Sequence, residues 1–206
     1  VLDGTKRRVA TELLRTLELA MPRREVGVLL EAARISFAPA TLVGSSPCMQ
    51  RVRAQVLEAT RHQGPVFVRG PSSSGKHHVA RAVHFGSDAS GPFLPVNCSG
   101  LNELNLETEL FGQVKGAHAD ALGDRPGIFQ LANHGTVYLQ NVGALAAALQ
   151  ERVLAVLREG RIQRAGSKRN ERVDVRILSS DENDLAPAVQ AGRLRRDLAE
   201  ALAGTS

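Results

Sequence analysis

The stretch from Val66 to Val79, V-F-V-R-G-P-S-S-S-G-K-H-H-V, constrains this chain more than any other. Val66, Phe67 and Val68 form a short apolar run of the kind that makes a buried strand. The run breaks at Gly70 into a loop of small residues, which ends in Gly75-Lys76 and opens a helix predicted over His77 to Phe85. A strand, a loop of the form G-x-x-x-x-G-K and a helix, in that order, make a phosphate cradle. Glycines let successive N–H groups turn toward one anion, the helix presents its positive end there, and Lys76 adds a point charge for the phosphates. The candidate nucleotide-binding residues are therefore Gly70, Pro71, Ser72, Ser73, Ser74, Gly75, Lys76, His77 and His78. His77 stands where Ser or Thr usually follows the lysine, and Pro71 and Ser73 make the loop stiffer and less glycine-rich than usual.

From Thr41 onward the pattern alternates. Ser46-Pro47 precedes a predicted helix over Met49 to Ala59, and the strand, loop and helix of the cradle follow. Phe93 to Cys98 reads as a strand, Leu101 to Leu110 as a helix, and Gly112 to Gly127 as a Gly-rich insertion of open form. A short helix over Gly127 to Ala132 leads into a buried strand, Thr136 to Leu139. Ala144 to Glu159 is an amphipathic helix with Leu145, Leu149, Val153, Leu154 and Leu157 on one stripe. An edge strand at Arg161 to Arg164, a strand at Val173 to Leu178, and helices at Asp184 to Ala191 and Arg195 to Leu202 complete the series. Such alternation predicts an α/β fold, a parallel sheet with helices on both faces, whose ligands sit at the carboxyl ends of the strands. Those ends are Gly70, Asn97-Cys98, Gln140-Asn141 and Ser179 to Asp181.

Residues 1–40 read differently, as a helical linker segment ahead of the α/β domain of 41–206. Thr5 to Leu19 and Val26 to Ile35 have helical apolar spacing, and Ser36 to Ala40 is a connector. A start at Val1 rather than Met reads as a piece of something longer. With 43% hydrophobic residues but only 3% aromatic, the core must be built from Leu, Val, Ile and Ala. The net charge of +5 is spread over 26 basic and 21 acidic residues, which is a solvated mixed surface as readily as an anion-binding one. Arg161, Arg164, Lys168, Arg169 and Arg172 lack interleaved aromatics and read as a solvated hairpin rather than a nucleic-acid surface. Cys48 and Cys98 have no metal-like spacing and read as reduced thiols of a cytoplasmic protein. No apolar run is long enough to span a membrane, and His77, His78, His84 and His118 lack the companions of a metal site.

Several stretches together resemble one family. They are L-V-G-S-S-P-C-M-Q at 42 to 50, A-R-A-V-H at 80 to 84, P-F-L-P-V-N-C at 92 to 98 and E-L-F-G at 109 to 112. G-I-F-Q-L-A-N-H-G-T at 127 to 136, L-Q-E-R-V-L-A-V-L-R-E-G at 149 to 160, V-D-V-R at 173 to 176 and G-R-L-R-R-D-L at 192 to 198 continue the series. In order and spacing they are similar to the AAA+ domain of NtrC-type bacterial enhancer-binding proteins, the activators of sigma-54 RNA polymerase. The resemblance covers residues 41 to 202 and implies an AAA+ P-loop NTPase-like sheet, its helical lid subdomain absent or truncated here. It also implies assembly into rings that hydrolyse ATP between subunits and remodel the polymerase. The family usually carries Glu after the loop lysine, so His77 departs from it modestly.

Larger departures fall on the working parts. After the Thr136 to Leu139 strand the family has an Asp that holds Mg²⁺ and a Glu that deprotonates the attacking water; here Gln140 and Asn141 follow. Neutral amides cannot accept that proton, and they weigh against Mg²⁺ as well. A plainer alternative is that Gln140 and Asn141 only satisfy buried polar groups. The partner loop, G-A-F-T-G-A in the family, is Gly116, Ala117, His118, Ala119, Asp120 and Ala121, without the aromatic that inserts into sigma-54. The sensor position, normally Thr-Asn, is Asp181-Glu182, and either acid is a candidate stand-in for the missing carboxylate. Of the two inter-subunit arginines, Arg195 is kept and the second falls on Ala201.

The expected protein is a regulatory or oligomerisation domain of a bacterial transcription regulator, unable to hydrolyse ATP or engage sigma-54. Its expected ligand is ATP or ADP. Its expected partner is itself, as a ring or dimer; contact with RNA polymerase or another regulator through 116–121 stays open, and DNA binding belongs to a separate domain. Two alternatives remain. One is a switch that senses ATP, ADP or a cyclic dinucleotide without turnover, and the other a weakly active ATPase that remodels the polymerase.

Overall fold

The computed structural model describes residues 31–119 and 121–204. Thr5 to Leu19, the first part of Val26 to Ile35, and Asp120 lie outside the described residues. After a helical stretch at 31–36 and a 3₁₀ turn at Pro39–Thr41, the elements run α1 (Pro47–Thr60), β1 (Val66–Arg69), α2 (Lys76–Phe85), β2 (Phe93–Asn97) and α3 (Glu103–Phe111). β3 (Gly112–Gln113), β4 (Arg125–Pro126), α4 (Ile128–Leu131), β5 (Thr136–Gln140) and α5 (Ala147–Glu159) follow. The last are β6 (Arg161–Gln163), β7 (Asn170–Arg172), β8 (Arg176–Asp181), α6 (Ala186–Gln190) and α7 (Arg196–Leu202).

The main sheet has four parallel strands in the order β1-β8-β5-β2. Side chains alternate across it, so each strand feeds two cores. Val96, Val137, Leu139 and Ile177 face one layer, where they meet Leu106 and Phe111 of α3, Leu149 and Val153 of α5, and Leu198 of α7. Tyr138 and Leu178 face the other, against Val56 of α1 and Ala80 and Val83 of α2. Helices on both faces are thus what the alternation implied. Local chemistry starts the helices: Ser46, expected ahead of α1, accepts a bond from the Met49 N–H, while Asn102, read as lying within a helix from Leu101, instead accepts from the Asn105 N–H and caps α3 at Glu103.

Besides shifts of one or two residues at element ends, three elements differ from expectation in start or pairing. β8 begins at Arg176, because Val173 is drawn instead toward β6, its N–H bonded to the Gly160 carbonyl. Ala144 belongs to a 3₁₀ turn, Val142–Ala144, and α5 starts three residues later at Ala147. Arg161 to Gln163 is not an edge of the main sheet; it pairs antiparallel with β7 as a separate hairpin. Within and beside that hairpin two of the basic residues are paired, Arg164 with Glu171 at 2.8 Å and Arg161 with Glu159. Gly112 to Gly127, of open form in sequence, is a second hairpin built on β3 and β4. The connector is docked: Phe37 stacks on Phe85 at 5.5 Å, with the Arg81 guanidinium 4.6 Å above its ring.

A buried cation ties the amino-terminal end of the interior strand β8 to α1. Arg176 is buried, and its guanidinium donates to the carbonyls of Ala59 (2.7 Å) and Gly64 (3.0 Å), at the negative end of α1. Register then brings the strand ends level, pairing Gln140 with Asn97 on one side and with Ser180 on the other, and Arg69 with Asp181. The site lies along that line.

Candidate functional site

The turn from β1 to α2 forms the cradle. Gly70 ends the strand, its N–H bonded to the Asp181 carbonyl at 3.2 Å, and Gly75 caps α2 with φ of 88°. Between them Ser73 holds φ of 60°, a left-handed conformation that costs an L-residue about 1–2 kcal/mol. Ser73→Gly is therefore expected to stabilise the fold by about 1 kcal/mol, less the entropy glycine gains on unfolding; denaturant unfolding checks it, and a loss of stability would refute the strain. The Lys76 ammonium lies within the loop, donating to the Gly70 and Pro71 carbonyls at 2.7 and 2.8 Å.

Two cavities meet at this loop. One, of about 360 Å³, is lined by Ser72 to His77 together with Tyr138, Gln140, Asn141, Ser180 and Glu182. The other, of about 810 Å³, is bounded by Gly70, Pro71, Gly75, Lys76 and His78 on the loop side and by apolar Leu42, Val43, Met49, Val66 and Val79 beyond. The first suits phosphates and the second a planar apolar ring, and Ser74, Gly75 and Lys76 belong to both. A further cavity of about 590 Å³, between β1 and α6–α7, contains the Arg69–Asp184 pair but none of the loop.

At the end of β5 the amides are engaged. Gln140 donates its amide N–H to His77 Nδ1 at 3.0 Å, which leaves the ring proton on Nε2. Burial first, then Arg81 and His78, hold the His77 pKa below its ordinary value, and the ring stands edge-on to Phe93 and Tyr138. Asn141, left-handed at φ of 53°, donates to Asn97 Oδ1 at 3.0 Å and Ser99 Oγ at 3.2 Å. The plainer reading of these residues thus has a concrete form: they tie β5 to α2 and β2. Asp181, expected as a stand-in carboxylate, is spent on backbone. Its oxygens accept from the N–H groups of Gly143 and Glu182, each at 2.8 Å. Glu182 is the acid that lines the cavity, because Asp181 anchors the turn beneath it.

The remaining sequence candidates stand apart from the cradle. In the partner loop His118 is bonded to Gln113 Oε1 at 2.9 Å, and the Gly116 N–H to the Ala121 carbonyl at 2.8 Å, with Ala121 buried. Sequence reasoning passed over Leu122, which this closed turn leaves 87% exposed. Arg195, exposed at the start of α7, forks onto Asp197 at 2.8 and 3.0 Å, and this holds the Asp197 pKa at about 2. Cys48 is exposed and Cys98 buried, both as free thiols. Among the described residues no three His, Cys, Asp or Glu converge as a metal cluster, and no helix is long and apolar enough to cross a membrane.

The family described as Sigma-54 interaction domain matches residues 42–205. The chain belongs to that family. It is 42% identical to a Nif-specific regulatory protein of Rhodobacter capsulatus over 197 residues, 94% of this chain and 34% of that protein. The chain thus spans about a third of the length of the curated relatives it matches. Its structure is similar to NtrX from Brucella abortus, solved in complex with ADP: TM-score 0.71, 30% identity, covering 98% of this chain and 41% of that one. NtrX in complex with ATP is equally similar, at TM-score 0.70 and 31% identity over 94% of this chain and 42% of that one. The fold is that of AAA+ P-loop domains, as the sequence resemblance implied.

Within such a domain the donor set can be tested against Mg²⁺. The ion needs near-octahedral oxygen ligands, normally one or two carboxylates beside the phosphates. Here the β5 position carries a neutral amide engaged with His77, and among the described residues Glu182 is the one carboxylate in the cavity lining. These residues do not fit the family's metal site.

Proposed function

We propose that this chain is the regulatory module of a bacterial transcription regulator, binding an adenine nucleotide without hydrolysing it and acting through self-association or partner contact. The observation that carries the reading is the end of β5. Gln140 and Asn141 can accept no proton from water, and their amide groups are already bonded to His77, Asn97 and Ser99. Binding is supported by the cradle with its lysine, by the apolar cavity beside it, and by the ADP and ATP complexes of a similar protein. The bond from the Gly116 N–H to the Ala121 carbonyl, with His118 tied to Gln113, supports loss of the sigma-54 insertion. Arg195 is the residue that would reach a neighbouring copy's nucleotide; DNA contact belongs to another domain, and the setting is the cytoplasm.

Calorimetric titration with ATP and ADP, paired with a phosphate-release assay, tests this. Binding without turnover is expected, and Mg²⁺-stimulated turnover would overturn it. Lys76→Ala is expected to weaken ATP binding about 10–150-fold, the worth of one hydrogen bond to a charged group; unchanged affinity would place the nucleotide elsewhere. A second reading, a slow ATPase, is favoured only by the place of Glu182 in the lining. Turnover lost in Glu182→Gln would establish it.

A further inference from the structure

We propose that the charge of a bound nucleotide's phosphates is met in this chain by protons rather than by a divalent cation, with Lys76 supplying one and His77 taking up another as the anion enters. The inference rests on the nucleotide-binding reading above and deepens it.

Its first ground is the mismatch between the cavity and Mg²⁺. Where a carboxylate would hold the ion, Gln140 presents an amide, and the lining otherwise consists of hydroxyls, a second amide, Lys76, His77 and Glu182. A polyphosphate brings several negative charges into this space, and Lys76 alone offsets one.

The second ground is the placement of His77. It follows Lys76 directly in the helix that receives the phosphate, its ring lines the same cavity, and it can be charged or neutral near physiological pH. In the free protein Nδ1 accepts from the Gln140 amide. An amide carries a donor and an acceptor of equal reach, so half a turn of Gln140 presents Oε1 instead, and the contact survives a proton on Nδ1. Aspartate at 140 would hold His77 charged in advance and leave a carboxylate facing the phosphate. The third ground is what surrounds the ring. Arg81 and His78 approach it along α2, Tyr138 from β5 and Phe93 from β2, and Lys76 and Glu182 share its cavity. Burial first, then Arg81 and His78, disfavour a charged ring without ligand; an anion reverses the balance, and the proton comes from solvent. Affinity therefore falls as pH rises.

The experiment is ATP titration of the full chain by calorimetry, in buffers of different ionisation enthalpy and with either excess MgCl₂ or EDTA. Tyr138, the single tyrosine of a chain without Trp, lines the cavity, so its emission is an independent readout. The expected result is a Kd equal within a factor of about three in Mg²⁺ and EDTA, with proton uptake on binding. His77→Gln, checked for folding by thermal unfolding, should bind without uptake and with affinity no longer dependent on pH. A Kd about tenfold weaker in EDTA, or uptake unchanged in His77→Gln, would overturn the proposal. The first two arms need no variant. Absence of ATP binding under every condition would instead remove the nucleotide-binding reading itself.

Discussion

Gln140→Asp combined with Asn141→Glu is expected to raise phosphate release from ATP by about 10²–10⁴-fold over the wild-type background, the usual worth of a general base. The cradle, its lysine and the apolar cavity are in place, and what β5 lacks at its end is a group that accepts the proton of the attacking water. The double variant should also make ATP affinity Mg²⁺-dependent, because Asp at 140 adds an anionic oxygen ligand. It carries a structural cost. Asn141 is left-handed, a conformation Asn tolerates and Glu resists, so about 1–2 kcal/mol of stability should be lost. The bonds from Asn141 to Asn97 and Ser99 go as well. The rate should stay below that of a domain with two inter-subunit arginines, because the resemblance puts the second of them at Ala201. Phosphate release measured with and without Mg²⁺ decides the matter: no gain in the double variant would mean that other missing parts, not the carboxylates, silence the site.

Acid is expected to destabilise the protein through His84. This side chain is buried on α2, its Nδ1 bonded to Thr136 Oγ1 at 2.8 Å, and burial, with Arg34 and Arg176 nearby, lowers its pKa from 6.5 to about 4. The folded state therefore binds the proton more weakly than the unfolded chain does. The stability of the neutral form is fully present above pH 6.5 and drains away as pH falls toward 4. The gap corresponds to about 3 kcal/mol, a large share of a domain's net stability. Urea unfolding at pH 7 and near pH 4 measures it, and His84→Gln separates the cause, since its stability should be lower at neutral pH but nearly flat over the same range. A wild-type curve equally flat would show that His84 is not the group responsible.

Much of the fold is legible along the chain because its signals are local. The apolar run before Gly70, the Gly75-Lys76 pair and the stripe from Leu149 to Leu157 on α5 are local, and the structure places them as read. Leu145 joins the same core from the turn ahead of the helix. Errors arise where tertiary pairing competes with local pattern. Val173 to Val175 has the residues of a strand, yet β8 starts at Arg176, whose side chain is claimed by the carbonyls closing α1. The loop at 116–121 shows its missing aromatic in sequence, but not that His118 turns inward while Leu122 stands out. Position alone could not rank Asp181 against Glu182. The backbone amides that capture Asp181 belong to Gly143 and to the turn itself, and only the β5–β8 register brings Gly143 within reach.

The sequence by itself determined that the end of β5 carries no carboxylate and that a lysine-bearing phosphate loop precedes α2. Both are matters of side-chain identity, which folding cannot alter. The tertiary structure alone decided what the substituted groups do. Asn141 meets Asn97 from 44 positions away because parallel β2 and β5 bring their carboxyl ends level. Gln140 meets His77 from 63 because the loop after β1 opens α2 over the same end of the sheet. In such a sheet neighbouring ends come from distant parts of the chain, so no local pattern records them.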